Sequence, residues 1–177
     1  DELGLKHGKC RADIAVINTQ LIGYEIKSDE DSLRRLDKQI ETYNNVFDRA
    51  TVIVGTKHAR AVSALVPEWW GIILTRKGSR GGVSFETIRQ SCMNREIDLF
   101  SVAQLLWSNE VISILLDLGV PQRALHKKRS FLYQHLIDLL SPTELRCRVR
   151  DCLKNRKNWR CPGQPSPDGG LFQPISK

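Results

Sequence analysis

The stretch that most constrains the fold is residues 12–27, where two short apolar runs are joined by a polar turn. The runs cover residues 12–17 and 21–26, and Asn18-Thr19-Gln20 lies between them. Short runs of β-branched and aliphatic residues around a polar turn predict a β-hairpin. Strand side chains alternate between two faces. The position of a charged residue in this hairpin therefore determines on which face and at which end of the predicted sheet its side chain lies.

Three charged residues interrupt the hairpin: Asp13, Glu25 and Lys27. Glu25 and Lys27 are two residues apart, so they are expected on one face of their strand. Asp13 begins the first strand and Lys27 ends the second, so antiparallel pairing brings them to the same end of the sheet. Two carboxylates beside a lysine form an oxygen site for a hard divalent cation. A solvated surface hairpin with a Glu–Lys face is the alternative.

The helix predicted after the hairpin has one apolar stripe. The residues at helical spacing are Leu33, Leu36, Ile40, Tyr43 and Phe47. Arg35, Gln39 and Tyr43 follow one another at steps of four, so they share the flank of that stripe. Gln39 and Tyr43 could therefore both reach back to the hairpin, although Tyr43 could equally be a core residue.

Apolar runs at 51–55 and 71–75 predict buried strands, with a helix over 57–66 between them and a last strand over 83–88. The order β-β-α-β-α-β-β predicts an α/β fold, with a mixed sheet and helices packed on it. Residues 1–9 are expected to contain the end of a helix and a turn.

The chain after residue 98 is expected to be helical. The sequence predicts an αβ domain over 1–90, a helical domain over 98–160 and a flexible Pro- and Gly-rich tail over 161–177. Ser141-Pro142-Thr143-Glu144 matches a capping box with Pro at the first helical position, and it begins a basic helix.

The charge of the chain favours an anionic partner. The net charge is +7 and the sequence pI is about 9.3, a balance typical of proteins that bind nucleic acid. The candidate contacts lie on the basic helix and on the flank of the helix predicted after the hairpin. The expected nucleic-acid-binding residues are Arg35, Gln39, Tyr43, Arg146, Arg150, Lys154 and Lys157. A solvated basic face is the alternative for the last four. A helix-turn-helix reader is less favoured, because arginines spread around a helix suit backbone contact better than base reading.

No apolar run approaches the length needed to cross a bilayer. The first residues lack the layout of a signal peptide. Five cysteines, an odd number, then predict reduced thiols in a cytoplasmic protein.

Asp13, Glu25-Ile26-Lys27 and the Gln-x-x-x-Tyr element at 39–43 together resemble the PD-(D/E)XK nuclease superfamily, in particular its RecB-like branch. Their sequence context also resembles small bacterial and phage proteins of that superfamily. The resemblance covers roughly the first half of the chain and implies a restriction-endonuclease-like fold.

The resemblance further implies metal-dependent hydrolysis of phosphodiester bonds in DNA, with RNA left open. It implies that Mg²⁺ or Mn²⁺ is held by Asp13, Glu25 and the main-chain carbonyl of Ile26, with Glu2 as a further carboxylate. Lys27 would orient a water molecule or neutralise developing charge. Gln39 and Tyr43 would complete the catalytic set.

A nucleic-acid-binding protein that has kept the fold without cleaving is the main alternative. Some RecB-like nucleases also hold an iron–sulfur cluster. Cys10, Cys147, Cys152 and Cys161 lie in the corresponding order, but their spacing departs from the usual tight late cluster, so no cluster is expected. The helical domain is expected to guide substrate, or to contact a protein partner or a second copy of the chain.

Overall fold

The structure is a computed structural model that describes residues 3–5 and 10–156. Strands β1 (Leu3–Leu5) and β2 (Cys10–Ala12) pair antiparallel in a small two-stranded sheet. The main sheet has five strands in sequence order: β3 (Ile14–Ile17), β4 (Leu21–Lys27), β5 (Arg49–Gly55), β6 (Gly71–Lys77) and β7 (Val83–Arg89). The pairs β3–β4 and β6–β7 are antiparallel, whereas β4–β5 and β5–β6 are parallel.

Two helices connect the parallel strands. Helix α1 (Leu36–Asn44) follows a 3-10 turn at Leu33–Arg35 and joins β4 to β5, and α2 (Ala59–Leu65) joins β5 to β6. Right-handed crossovers that step in the same direction along a sheet place their helices on the same face. We call the face beneath α1 and α2 the helix-covered face, and the opposite one the open face.

The C-terminal region is helical. It contains α3 (Leu99–Ala103), α4 (Ser108–Asp117), a 3-10 turn (Gln122–Leu125), α5 (Arg129–Leu139) and α6 (Pro142–Asn155). The predicted α/β fold, a mixed sheet with packed helices followed by a helical region, is confirmed. No helix in the described part of the chain is long and apolar enough to cross a membrane.

Strand β4 buries alternate residues beneath α1. Leu21, Gly23, Glu25 and Lys27 are buried on the helix-covered face, and the residues between them are more exposed. Gly23 is required by close packing, because a Cβ there would lie 2.7 Å from the ring of Phe47, just after α1. The alternation places the two charged residues under the helix, at the end of the strand.

One continuous set of buried apolar side chains extends from the sheet into the C-terminal helices. An ion pair also joins the two regions, because Arg146 of α6 contacts the buried carboxylate of Asp48, which immediately precedes β5. The division at residues 90–98 stays a prediction, and the predicted tail lies outside the described residues.

The expectation of a helix within residues 1–9 was wrong for the part that the structure describes. Leu3 and Leu5 are buried on either side of the exposed Gly4, which is the two-residue period of a strand. The first strand of the hairpin also differs from the prediction, since the chain bends at Asp13 and separates β2 from β3.

Candidate active site at the end of strand β4

Asp13 lies beside the last residues of β4. The pairing of β3 with β4 stops at Ile14, opposite Tyr24. Asp13 lies at the bend just before Ile14. Its Oδ2 atom accepts a 2.7 Å hydrogen bond from the main-chain N–H of Ile26, which has no partner strand on this edge of β4. Because the N–H and C=O of a strand residue leave by the same edge, the Ile26 carbonyl also points toward this edge.

Glu25 lies at the centre of the site and is fully buried. Its Oε1 atom is 2.8 Å from the Lys27 Nζ atom and also accepts a hydrogen bond from the Gln39 side-chain amide. Its Oε2 atom accepts a 2.8 Å hydrogen bond from the Tyr43 hydroxyl, which also lies 3.1 Å from the carbonyl oxygen of Tyr24. One turn of α1 therefore directs both Gln39 and Tyr43 at the same carboxylate.

The surroundings of Glu25 oppose its ionisation. Burial raises the pKa of Glu25, the hydrogen bond from Lys27 acts against this shift, and the negative charge of Asp13 adds to it. Burial and the nearby Glu25 charge also raise the pKa of Tyr43 far above its usual range. Tyr43 consequently remains a neutral hydrogen-bond donor at any physiological pH.

The oxygen atoms at this edge fit a hard divalent cation in their chemistry. Asp13 has a second carboxylate oxygen, the Ile26 carbonyl faces the same edge, and Glu25 uses about three of its four acceptor positions on Lys27, Gln39 and Tyr43. Within residues 3–5 and 10–156, no group of three or more His, Cys, Asp or Glu side chains is placed to hold a metal ion. A cation here would therefore depend on two carboxylates and a main-chain carbonyl.

The site has an acceptor that no described residue satisfies. The Gln39 Oε1 atom is buried and has no hydrogen-bond partner among the described residues. Because a buried polar atom without a partner is costly, this position favours an additional donor, such as a water molecule. The unsatisfied atom belongs to the side chain whose amide holds Glu25.

The other predicted site residues lie elsewhere. Arg35 is exposed at the start of α1, Arg150 is half-buried and Lys154 is exposed. Arg146 is bound to Asp48 next to the first residue of β5, at the opposite end of the sheet from Lys27. Glu2 and Lys157 lie outside the described residues. The structure thus brings together six of the predicted residues: the side chains of Asp13, Glu25, Lys27, Gln39 and Tyr43, and the main chain of Ile26.

Sequence reasoning missed a second polar cluster at the same end of the sheet. Asp29 accepts a 2.8 Å hydrogen bond from the main-chain N–H of Lys57, and a Cβ at Gly55 would lie 2.2 Å from its Oδ1 atom. The buried Nε2 atom of His58 has no partner among the described residues. No spacing rule links Asp29 to residues 26–29 positions later, so no local pattern could have indicated this cluster.

Comparisons with known proteins identify one phage family. The family model described as Bacteriophage P4 protein cII matches residues 1–161. Protein cII of Enterobacteria phage P4 is 28% identical over 157 residues, which cover 88% of this chain and 58% of that protein. The chain thus spans less than two thirds of the relative's length. No solved structure matches the chain.

Proposed function

This chain belongs to the bacteriophage P4 protein cII family, and we propose that it is a metal-dependent nuclease that hydrolyses phosphodiester bonds in DNA. The name of the family states no activity, so the proposal depends on the site. The observation that supports it is the convergence of Asp13, Glu25 and Lys27 at the end of β4, where α1 holds the Glu25 carboxylate through two side chains. The same proposal includes a cytoplasmic location.

Each residue has a distinct role in this proposal. Asp13, Glu25 and the Ile26 carbonyl would hold Mg²⁺ or Mn²⁺, which when bound would neutralise phosphate charge and lower the pKa of a water molecule. Gln39 and Tyr43 fix the orientation of the Glu25 carboxylate. Lys27 presents a compact positive charge that can orient the attacking water or offset charge developing on the phosphate.

A second candidate function is nucleic-acid binding without cleavage. The observation that favours it is the burial of Glu25, whose charge is already compensated by Lys27 and whose carboxylate already accepts hydrogen bonds from Gln39 and Tyr43. In this alternative the polar residues under α1 only stabilise the fold, and the basic surface of the chain supplies the binding.

A cleavage assay separates the two functions. The wild-type chain and the variants Asp13→Asn and Lys27→Met would be incubated with supercoiled plasmid, linear duplex and single-stranded DNA, in Mg²⁺, Mn²⁺ or EDTA. The nuclease proposal predicts metal-dependent cleavage by the wild type, and a rate at least about 100-fold lower in both variants. The substrate that is cut distinguishes endonuclease from exonuclease action.

Matched controls keep the assay specific. Asp37→Asn and Lys38→Met make the same chemical changes at exposed positions of α1, so they should cleave like the wild type. Metal-independent cleavage, or cleavage that survives in Asp13→Asn, would reject the proposed site. Salt-sensitive DNA binding without cleavage, equal in all five proteins, would favour the second function.

A further inference from the structure

The open face of the main sheet is apolar across all five strands. Besides the buried Thr51 and two charged residues at strand ends, the parity of the strands and their registers place eleven side chains on it: Ile14, Val16, Ile22, Tyr24, Ile26, Ile53, Ile73, Thr75, Val83, Phe85 and Thr87. Val83 and Phe85 are 56% and 67% exposed, and Ile14, Val16 and Ile26 are 38–42% exposed. Monomeric proteins rarely expose continuous apolar patches of this width.

The sequence of strand β7 itself places apolar residues on the open face. Its residues alternate between an apolar side, with Val83 and Phe85, and a polar side, with Ser84 and Glu86. The polar side carries an exposed ion pair between Glu86 and Arg76, on the face where α1 and α2 lie. Alternation of this kind is typical of a strand that buries its apolar side, yet here that side faces away from the helices.

No described residue covers the middle of this face. Ile22, Tyr24, Ile53 and Ile73 are partly exposed and lie outside the set of side chains that form or contact the apolar core of the described chain. The segment after β7 crosses only the beginning of the parallel strands, where the Ser91 carbonyl accepts a hydrogen bond from Arg49.

The charge of the face determines what can bind it. None of the eleven residues is charged, and the charged residues of the same parity, Arg49 and Lys77, lie at the two ends of their strands. A nucleic acid needs positive charge at its contact surface, so this face does not suit it. The chain carries a net charge of +7, and an uncharged surface lets two copies meet with little charge repulsion across the contact.

We propose that a second copy of this chain packs on the open face, so that the two sheets lie face to face in a symmetric dimer. Such interfaces are self-complementary, and two-fold dimers are the commonest oligomers. Facing sheets pack about 10 Å apart with interdigitating apolar side chains. Five strands spaced about 4.8 Å apart give a footprint of roughly 400 Å² per copy, so the pair buries roughly 800 Å², the size of weak, reversible interfaces.

The dimer leaves the candidate active site accessible. Glu25, Lys27 and α1 lie on the helix-covered face, and the interface lies on the other. The proposal therefore does not depend on the proposed nuclease activity, and either can fail alone.

Sedimentation velocity on the intact chain, at 1–100 µM protein and at about 0.15 M and 1 M salt, tests the proposal. The wild-type chain of 20.2 kDa should sediment as a dimer, with twice that mass. Because the interface contains no charge, the dimer should persist at high salt, which also removes bound nucleic acid. Phe85→Glu places an unpaired charge in the interface and should raise the dimer Kd at least about 30-fold.

Phe131→Glu is the matched control, because Phe131 is a similarly exposed aromatic residue, 53% exposed, on α5. It should dimerise like the wild type. Val16→Glu, at the opposite edge of the face, is the second test variant and should weaken the dimer as Phe85→Glu does. A wild-type chain that is monomeric at 100 µM, or a dimer that both sheet variants retain, would overturn the proposal.

Discussion

Glu25 and Lys27 form an ion pair that is almost withdrawn from water, with 1% and 8% of their side chains exposed. Removing two charges from water costs several kcal/mol, and the attraction between them offsets this only when their other polar atoms are satisfied. Gln39 and Tyr43 donate these further hydrogen bonds to the Glu25 carboxylate. The pair is thus tolerated in the fold, and neither member can be removed alone without cost.

We predict that Lys27→Met lowers the free energy of unfolding by about 3 kcal/mol at pH 7, because it leaves a buried carboxylate without its cation. The double variant Glu25→Gln/Lys27→Met should recover most of this loss, since no charge then remains buried. Urea unfolding followed by tryptophan fluorescence measures both. An additive double variant, or an equal loss in the exposed Lys38→Met, would contradict the explanation.

The pKa of Glu25 sets the pH dependence of that loss. The pKa of Glu25 is raised in the folded state, so the folded chain holds the proton of this carboxyl more tightly than the unfolded chain does. The resulting stabilisation is fully present below the usual glutamate pKa, about 4.3, and is lost as the pH rises through the folded-state pKa. Without Lys27 the folded pKa rises further. We therefore expect the cost of Lys27→Met to shrink as the pH is lowered from 7 to 4, as urea unfolding at each pH would measure. A cost independent of pH would show that the carboxylate is not the cause.

Local rules predicted the central residues of the site. The two-residue strand period places Glu25 and Lys27 together, and the four-residue helix period aligns Gln39 with Tyr43. Asp48 could not be found in this way. Its carboxylate accepts a hydrogen bond from the main-chain N–H of Leu21 and forms an ion pair with Arg146, 98 positions away. No local sequence period predicts either contact.

Helix α6 begins where its sequence predicts. The Ser141 hydroxyl accepts a hydrogen bond from the Glu144 main-chain N–H, the Glu144 side chain returns to the Ser141 main-chain N–H, and Pro142 takes the first helical position. Strand β1 was mispredicted because three residues are too few for a period to be distinguished from a helix end.

We predict that Ser141→Ala costs about 1 kcal/mol, because it removes the acceptor for the Glu144 main-chain N–H. The control Ser113→Ala changes an exposed serine inside α4 and should be neutral or slightly stabilising, since alanine favours a helix interior. Thermal or urea unfolding by circular dichroism compares the two. Equal effects would mean that the cap makes no contribution.

The basic residues of α6 should differ in their contribution to DNA binding. Lys154 is exposed, whereas Arg146 is engaged by Asp48. If α6 contacts phosphates, Lys154→Ala should reduce the slope of log Kd against log salt by about one. Arg146→Ala should leave the slope unchanged. Fluorescence anisotropy at several salt concentrations measures both slopes. A reduced slope for Arg146→Ala and an unchanged slope for Lys154→Ala would show that Arg146, and not Lys154, contacts the phosphates.

The apolar core crosses the boundary between the sheet and the C-terminal helices. Sequence patterns placed the boundary in the segment at residues 90–98, but they could not show that packing continues across it. Asn94 lies in that segment, is buried, and donates hydrogen bonds to the carbonyls of Asn44 and Phe47. The segment is therefore fastened to the end of α1.

We predict a single cooperative unfolding transition for the whole chain, with the same urea midpoint by tryptophan fluorescence and by far-ultraviolet circular dichroism. Arg146→Met removes the ion pair to Asp48 and should lower the midpoint or separate the two signals. Separate midpoints in the wild type would mean that the sheet and the helices unfold independently.

The candidate site is compact along the chain, since its five side chains all lie within residues 13–43. Contacts over short sequence separations close small loops, which cost less entropy and form sooner than distant ones. The geometry of the site can thus be established by the β3–β4 hairpin and α1 before the Arg146 contact forms.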